Sequence, residues 1–173
     1  PKNNIYNFSP TEKEGELVVH LKTYDSETIH IEYDNINEEI SSLVQAHVVP
    51  LVFVANRKDA IEMSRSLLLR VKTDDTGSDV YGFSEESLND ITDPSVKKSL
   101  RGGIGILYKG MNSKDLNTVL QFSDKLRVMI ATKDVTGLTI RSSAVFIRGT
   151  SYFQASENRH LDYPLNTLLE MVG

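Results

Sequence analysis

The chain has 173 residues, of which 39% are hydrophobic and 25% are charged, so it can bury one core without disulfides or a structural metal. Its net charge is −5, which argues against a dedicated nucleic-acid-binding module, and it has no cysteine, which excludes disulfides and thiol catalysis. The longest apolar stretch, Val48 to Ala55, is interrupted by Pro50 and is too short to span a membrane. We therefore expect one soluble domain.

The first third of the chain predicts two strands, a helix and a third strand. Residues 16–22 and 28–33 alternate between apolar and polar side chains, which is the period of a strand with one buried face. Residues 35–47 repeat apolar side chains at helical spacing and predict a helix. Residues 51–55 are apolar at every position, which is typical of a central parallel strand that is covered on both faces.

Helices and apolar strands alternate along the rest of the chain, around a predicted loop at residues 73–82. Further helices are predicted at 57–72, 84–88 and 94–102, and two more are predicted to be capped by Ser113 and to start at Pro164. Strands are predicted at 104–108, 127–131 and 144–147, with a hairpin over 152–163 that turns at 156–158. This alternation predicts an α/β fold with a mostly parallel sheet and helices on both faces.

The residues alone offer no complete catalytic or metal site. Gly105 and Gly110 have the spacing of a phosphate-binding loop, but Met111 stands where that loop needs lysine. No Gly-x-Ser-x-Gly elbow is present, and only His20 and His30 could meet across a hairpin, which is too few ligands for a metal. The pattern fits half of an α/β enzyme whose chemistry is completed by another domain.

Several segments, taken in chain order, form one set: residues 7–10 with 16–21, 51–58, 103–111, 127–132, 144–150, 152–164 and 168–173. Together they resemble the second RecA-like lobe of superfamily-two RNA helicases of the Ski-two-like family. The resemblance covers nearly the whole chain. It implies a RecA-like three-layer domain with a mostly parallel central sheet, helices on both faces and a β-hairpin. It also implies that residues 1–173 form a single lobe, which we expect to be a fragment of a longer protein.

The departures from the family pattern lie at its functional motifs. Leu107 and Tyr108 stand where the family has two histidines, and Thr139 follows Gly137-Leu138 where the family has Asn or Asp. Glu170 takes the position of the Gln that opens motif VI, and the sequence stops before the arginine fingers that stabilise phosphoryl transfer. This pattern resembles the degenerate C-terminal cassette of the two-cassette spliceosomal helicases, whose N-terminal cassette unwinds the U-four/U-six duplex.

The resemblance implies a nuclear, ATP-dependent RNA helicase of pre-mRNA splicing, in which this copy serves as a regulatory and protein-interaction platform. It implies no cofactor in this chain alone, and ATP and magnesium in the full helicase. The implied partners are the preceding RecA-like lobe, the following winged-helix region, spliceosomal proteins and RNA, with no membrane. The alternative is a working motor lobe that is completed by arginines after Gly173.

The candidate site residues fall into three groups, and none of them is expected to be catalytic or to bind a metal. The nucleotide or interlobe candidates are Thr132, Gly137, Thr139 and Glu170. The candidates for RNA contact are Arg57 and Lys58, and those for partner binding are Tyr152, Phe153 and Tyr163. Two simpler interpretations stay open: the cations, with Arg148, are solvated strand ends, and the aromatic residues pack the hairpin onto the sheet.

Overall fold

The computed structural model describes residues 20, 29–46, 48–71, 85–135, 140, 142 and 144–172. Six helices lie within these ranges: α1 Ile29–Gln45, α2 Arg57–Val71, α3 Glu85–Asn89, α4 Pro94–Arg101, α5 Ser113–Gln121 and α6 Leu165–Val172. Six strands lie there too: β1 Pro50–Val54, β2 Ile104–Leu107, β3 Val128–Thr132, β4 Ala144–Ile147, β5 Ser151–Gln154 and β6 Arg159–Asp162. The predicted loop at 73–82 lies outside the described residues, as does the predicted strand at 16–22 apart from His20.

Four parallel strands form the central sheet in the order β2-β3-β1-β4. Every residue of β1, β2 and β3 is buried, whereas β4 at one margin is half-buried. Because all four strands are parallel, their carboxyl ends lie at one edge of the sheet. The predicted α/β fold with a mostly parallel sheet is therefore confirmed.

The two faces of the sheet are covered by different helices. Val52 and Val54 of β1 belong to the cluster that includes the buried residues of α1 and α2. Leu51 and Phe53 point to the other cluster, which includes buried residues of α3, α4, α5 and α6. Burial on both faces explains why this strand is apolar at every position, since successive side chains of a strand point to opposite sides.

Two predictions of local structure were wrong in detail. The predicted strand at 28–33 is helical from Ile29 onward. Ile29 and Tyr33 fit an alternation within 28–33, but Ile29, Tyr33, Ile36 and Ile40 are also spaced by four, three and four, which is a helical period. Helix α5 is capped by Asn112 rather than Ser113, because the side chain of Asn112 accepts a hydrogen bond from the Lys114 amide at 2.9 Å.

Strands β5 and β6 form a separate antiparallel hairpin, with Phe153 opposite His160. Its turn spans residues 155–158, and Asn158 adopts a positive φ of 50°, which asparagine tolerates better than most residues. The predicted hairpin is thus present with the expected turn. Among the described residues, no helix is long and apolar enough to cross a membrane.

Candidate functional site

The carboxyl ends of the parallel strands place several candidate residues at one edge of the sheet. Val54 of β1 is in register with Thr132 of β3, and Arg57 follows β1 after a two-residue turn. Tyr108 follows β2 directly. Open parallel sheets bind ligands outside this edge, so it is the candidate functional site.

Thr132 is buried at this edge, and its hydroxyl has no hydrogen-bond partner within the described part of the chain. A buried hydroxyl without a partner costs about 1–3 kcal/mol, so a group from a nucleotide or from a neighbouring lobe would be stabilised there. Glu170 lies exposed on α6. Gly137 and Thr139 lie outside the described residues.

Arg57, Asp93 and Tyr108 form a cluster around one carboxylate oxygen. Arg57 Nη2 and the Tyr108 hydroxyl both donate to Asp93 Oδ2, at 2.8 and 2.6 Å. The Arg57 guanidinium also lies 4.9 Å from the centre of the Tyr108 ring, within range of a cation–π interaction. The other oxygen of Asp93 accepts the Ser95 amide at 2.8 Å and thereby caps α4, as the Asp-Pro sequence predicts.

Asp115 anchors the turn that carries Asp93. The sequence did not suggest Asp115 as a site residue. Its carboxylate accepts hydrogen bonds from the Thr92 amide at 2.8 Å, the Thr92 hydroxyl at 2.9 Å and the Asp93 amide at 3.0 Å. Asp115 is 1% exposed although it lies in the first turn of α5. Only its position near a helix start hinted at a role, because acids there complement the helix dipole.

The contacts within the cluster shift the pKa of each of its three ionisable side chains. Burial alone would raise the pKa of Asp93, but hydrogen bonds from Tyr108, Ser95 and Arg57 outweigh burial and lower it below its usual value. Burial, followed by the adjacent Asp93 carboxylate, raises the pKa of Tyr108 to about 12. The hydrogen bond to Asp93 raises the pKa of Arg57. At neutral pH the cluster is therefore an ion pair with a neutral tyrosine donor.

Lys58, the second cation at the start of α2, points away from this cluster. Its side chain is 82% exposed and lies 3.8 Å from Glu62 across one helical turn. The start of the helix itself is fixed by Asn56, whose side-chain oxygen accepts the Asp59 amide at 3.0 Å. Of the two predicted RNA-contact cations, only Arg57 is tied to other elements of the fold by the contacts described.

The aromatic candidates comprise one buried ring, Tyr163, one partly buried ring, Tyr152, and one exposed ring, Phe153. Tyr152 and Tyr163 stack with their ring centres 5.3 Å apart, and Lys133 Nζ lies 3.3 Å from the centre of the Tyr152 ring. Burial raises the pKa of Tyr163, and the carboxylates of Asp134 and Asp59 raise it further. Phe153 is 53% exposed and contacts His160 edge to face.

Sequence comparison relates the chain to large helicase proteins, although no protein-family model matches it. It is 30% identical to the pre-mRNA-splicing factor brr2 of Schizosaccharomyces pombe. It is 27% identical to activating signal cointegrator 1 complex subunit 3 of Gallus gallus and 26% identical to the DExH-box ATP-dependent RNA helicase DExH14 of Arabidopsis thaliana. The chain is similar to these proteins over nearly its whole length. Each match covers 98% of this chain but only 8% of the relative.

The histidine pair of the Ski-two-like pattern has two different substitutes here. Leu107 is fully buried in the sheet, whereas the Tyr108 hydroxyl is engaged by Asp93. Among the described residues, no group of three His, Cys, Asp or Glu side chains could hold a metal ion. Within the described part of the chain, this edge offers the Thr132 hydroxyl for hydrogen bonding and the Arg57 guanidinium, which is paired with Asp93.

The Lys133–Tyr152 contact predicts a measurable contribution to stability. Replacing Lys133 with glutamine should lower the free energy of unfolding by about 0.5–1 kcal/mol, because the ammonium lies directly over the ring. Lys125 is a matched control, since its ammonium is 5.8 Å from the Phe122 ring and solvent-exposed. Urea denaturation should show a lower midpoint for K133Q than for K125Q. Equal midpoints would mean that the Lys133–Tyr152 contact does not stabilise the fold.

The lowered pKa of Asp93 predicts that part of the protein's stability is lost in acid. Its folded-state pKa lies below the ordinary 3.8, so its ionised form contributes stability that is complete above that value and is lost as pH falls through the lower, folded pKa. D93N should therefore reduce the loss of stability between about pH 6 and about pH 2. The exposed neighbour Asp90 supplies the control variant D90N. A reduction of the same size in D90N would show that general charge, not this cluster, is responsible.

Proposed function

We propose that residues 1–173 form the second RecA-like lobe of an ATP-dependent RNA helicase that acts in pre-mRNA splicing in the nucleus. Similarity to helicase proteins over 98% of the chain supports this assignment, together with the all-parallel central sheet. The relative with 30% identity is named as a pre-mRNA-splicing factor. The remaining parts of the protein would then be a preceding RecA-like lobe and a following winged-helix region, with RNA and spliceosomal proteins as partners.

We further propose that this copy of the lobe is catalytically degenerate and serves as a regulatory and protein-interaction platform for an active cassette. The observation that supports this proposal is the environment of the two residues, Leu107 and Tyr108, that replace the family's histidine pair. Leu107 is buried and Tyr108 is bound to Asp93, so neither position presents an imidazole to a ligand. Glu170 adds a negative charge where the family has a neutral Gln, and a carboxylate repels the phosphates of a nucleotide.

A working motor lobe is the second candidate function, and Thr132 favours it. Its buried hydroxyl lacks a partner within the described residues, at the edge where α/β folds bind ligands. If the lobe is a motor, a nucleotide group or a residue of the preceding lobe would complete this hydrogen bond. The arginine fingers would then follow Gly173. ATP and magnesium would belong to the full helicase in either case.

The helicase assignment can be tested with the full-length protein. We expect ATP hydrolysis that requires magnesium and is stimulated by single-stranded RNA, and we expect unwinding of an RNA duplex with a single-stranded tail. A matched variant with the phosphate-binding lysine of its active cassette replaced should lose both activities. Absence of RNA-stimulated hydrolysis in the full-length protein would contradict the assignment.

A further inference from the structure

The two charged partners in the Arg57–Asp93 ion pair are held very differently. The Asp93 side chain is 9% exposed, whereas the Arg57 side chain is 55% exposed. Asp93 accepts from the Ser95 amide and the Tyr108 hydroxyl, and its own amide donates to Asp115. The carboxylate is therefore fixed by the fold, and Arg57 is the partner that can swing toward solvent.

A carboxylate and a phosphate compete for the same donors of a guanidinium. Both accept short, charge-assisted hydrogen bonds from arginine, often through two parallel N–H groups. In this chain Asp93 Oδ2 takes the Nη2 donor of Arg57, and the Tyr108 ring covers one face of the guanidinium. An RNA phosphate at this edge would have to displace a carboxylate that is already in place.

We propose that Asp93 masks Arg57 from RNA, so that the fold itself withholds one phosphate-binding arginine at the carboxyl end of β1. Tyr108 is the positioning residue of this mask, because its hydroxyl holds Asp93 Oδ2 and its ring holds the guanidinium on the same side. The inference rests on the proposed function as a lobe of an RNA helicase. It gives a residue-level reason why Arg57 would not contact RNA in this lobe.

The test is RNA binding by the full-length protein and its D93N variant. Asparagine is also a good helix cap, so D93N should keep the start of α4 while removing the charge that holds Arg57. We expect D93N to bind a single-stranded RNA oligonucleotide about threefold to tenfold more tightly in fluorescence anisotropy, and the slope of log affinity against log salt to steepen by about one phosphate contact. Adding Arg57→Ala should abolish both changes.

Two further variants separate the mask from general effects. D90N removes a negative charge from an exposed residue three positions from Asp93. It should give a smaller increase in RNA affinity, and that increase should not depend on Arg57. D93S supplies a second uncharged cap if D93N unfolds, since serine caps helices equally well. Circular dichroism should confirm that each variant used is folded.

The outcomes distinguish this inference from the proposed function. Wild-type RNA binding that neither D93N nor D93S strengthens would overturn the mask and leave the helicase assignment standing. A gain in RNA affinity in D93N that persists when Arg57→Ala is added would also overturn the mask. Arg57 would then not be the group that D93N makes available to RNA. Absence of RNA binding in the wild type and in every variant would contradict both proposals.

Discussion

Replacing Asp115 with alanine is expected to lower the free energy of unfolding by about 3 kcal/mol, because hydrogen bonds to a buried charged acceptor contribute about 1.5–3 kcal/mol each and are only partly additive. The variant would leave the amides of Thr92 and Asp93 without the acceptor that Asp115, itself 1% exposed, provides. It would also loosen the turn that presents the Asp93 carboxylate to Arg57.

Urea denaturation measures this effect, with two variants as controls. D124A removes an exposed acid on the turn that follows α5 and should change stability by less than about 0.5 kcal/mol. D115N keeps one carbonyl oxygen as acceptor. Its loss of unfolding free energy should therefore lie between the losses in D115A and D124A. If D115A and D124A unfold at the same urea concentration, Asp115 does not organise the Thr92–Asp93 turn.

Replacing Ile130 with alanine should cost about 3–4 kcal/mol, which is typical of a large-to-small change in a fully buried core. Ile130 is 0% exposed in β3 and lies between Val52 of β1 and Ile106 of β2. The side chain belongs to a cluster of buried residues from both covering helices and the neighbouring strands, so its truncation leaves a cavity in the core. The denaturant midpoint should fall, while the dependence on urea concentration should stay unchanged.

The same aliphatic truncation at an exposed position is the control for Ile130. Leu69 on α2 is 76% exposed, so L69A should change the free energy of unfolding by less than about 0.5 kcal/mol. Similar losses in I130A and L69A would mean that β3 does not occupy the centre of the sheet. That result would contradict the strand order on which the candidate site depends.

The parts of the fold that sequence could predict are those with a local signal. β1 is apolar at every position because it is buried on both faces, and α4 begins at Asp93-Pro94 because that pair combines a cap with a residue suited to the first turn. Where two periods fit the same residues, as at 29–33, the local signal was ambiguous and the predicted strand was wrong.

The organisation of the candidate site could not be predicted, because its contacts join residues far apart in the sequence. Arg57 and Asp93 are 36 positions apart, and Thr92 and Asp115 are 23 positions apart. Each of these residues has an ordinary local explanation, such as a solvated cation or an acid at a helix start. Only the parallel sheet and its helices bring the residues together, so the sequence suggested Arg57 as a candidate without suggesting its partner.

The most direct test of the degenerate-lobe proposal is RNA-stimulated ATP hydrolysis by the full-length protein with this lobe altered at its nucleotide candidates. In one variant, Thr139 and Glu170 are both replaced by alanine. If the lobe is a regulatory and protein-interaction platform, the variant should hydrolyse ATP within about twofold of the wild-type rate, because another cassette supplies the chemistry. A loss of about tenfold or more in kcat, with RNA binding intact, would contradict the account and establish a working motor lobe.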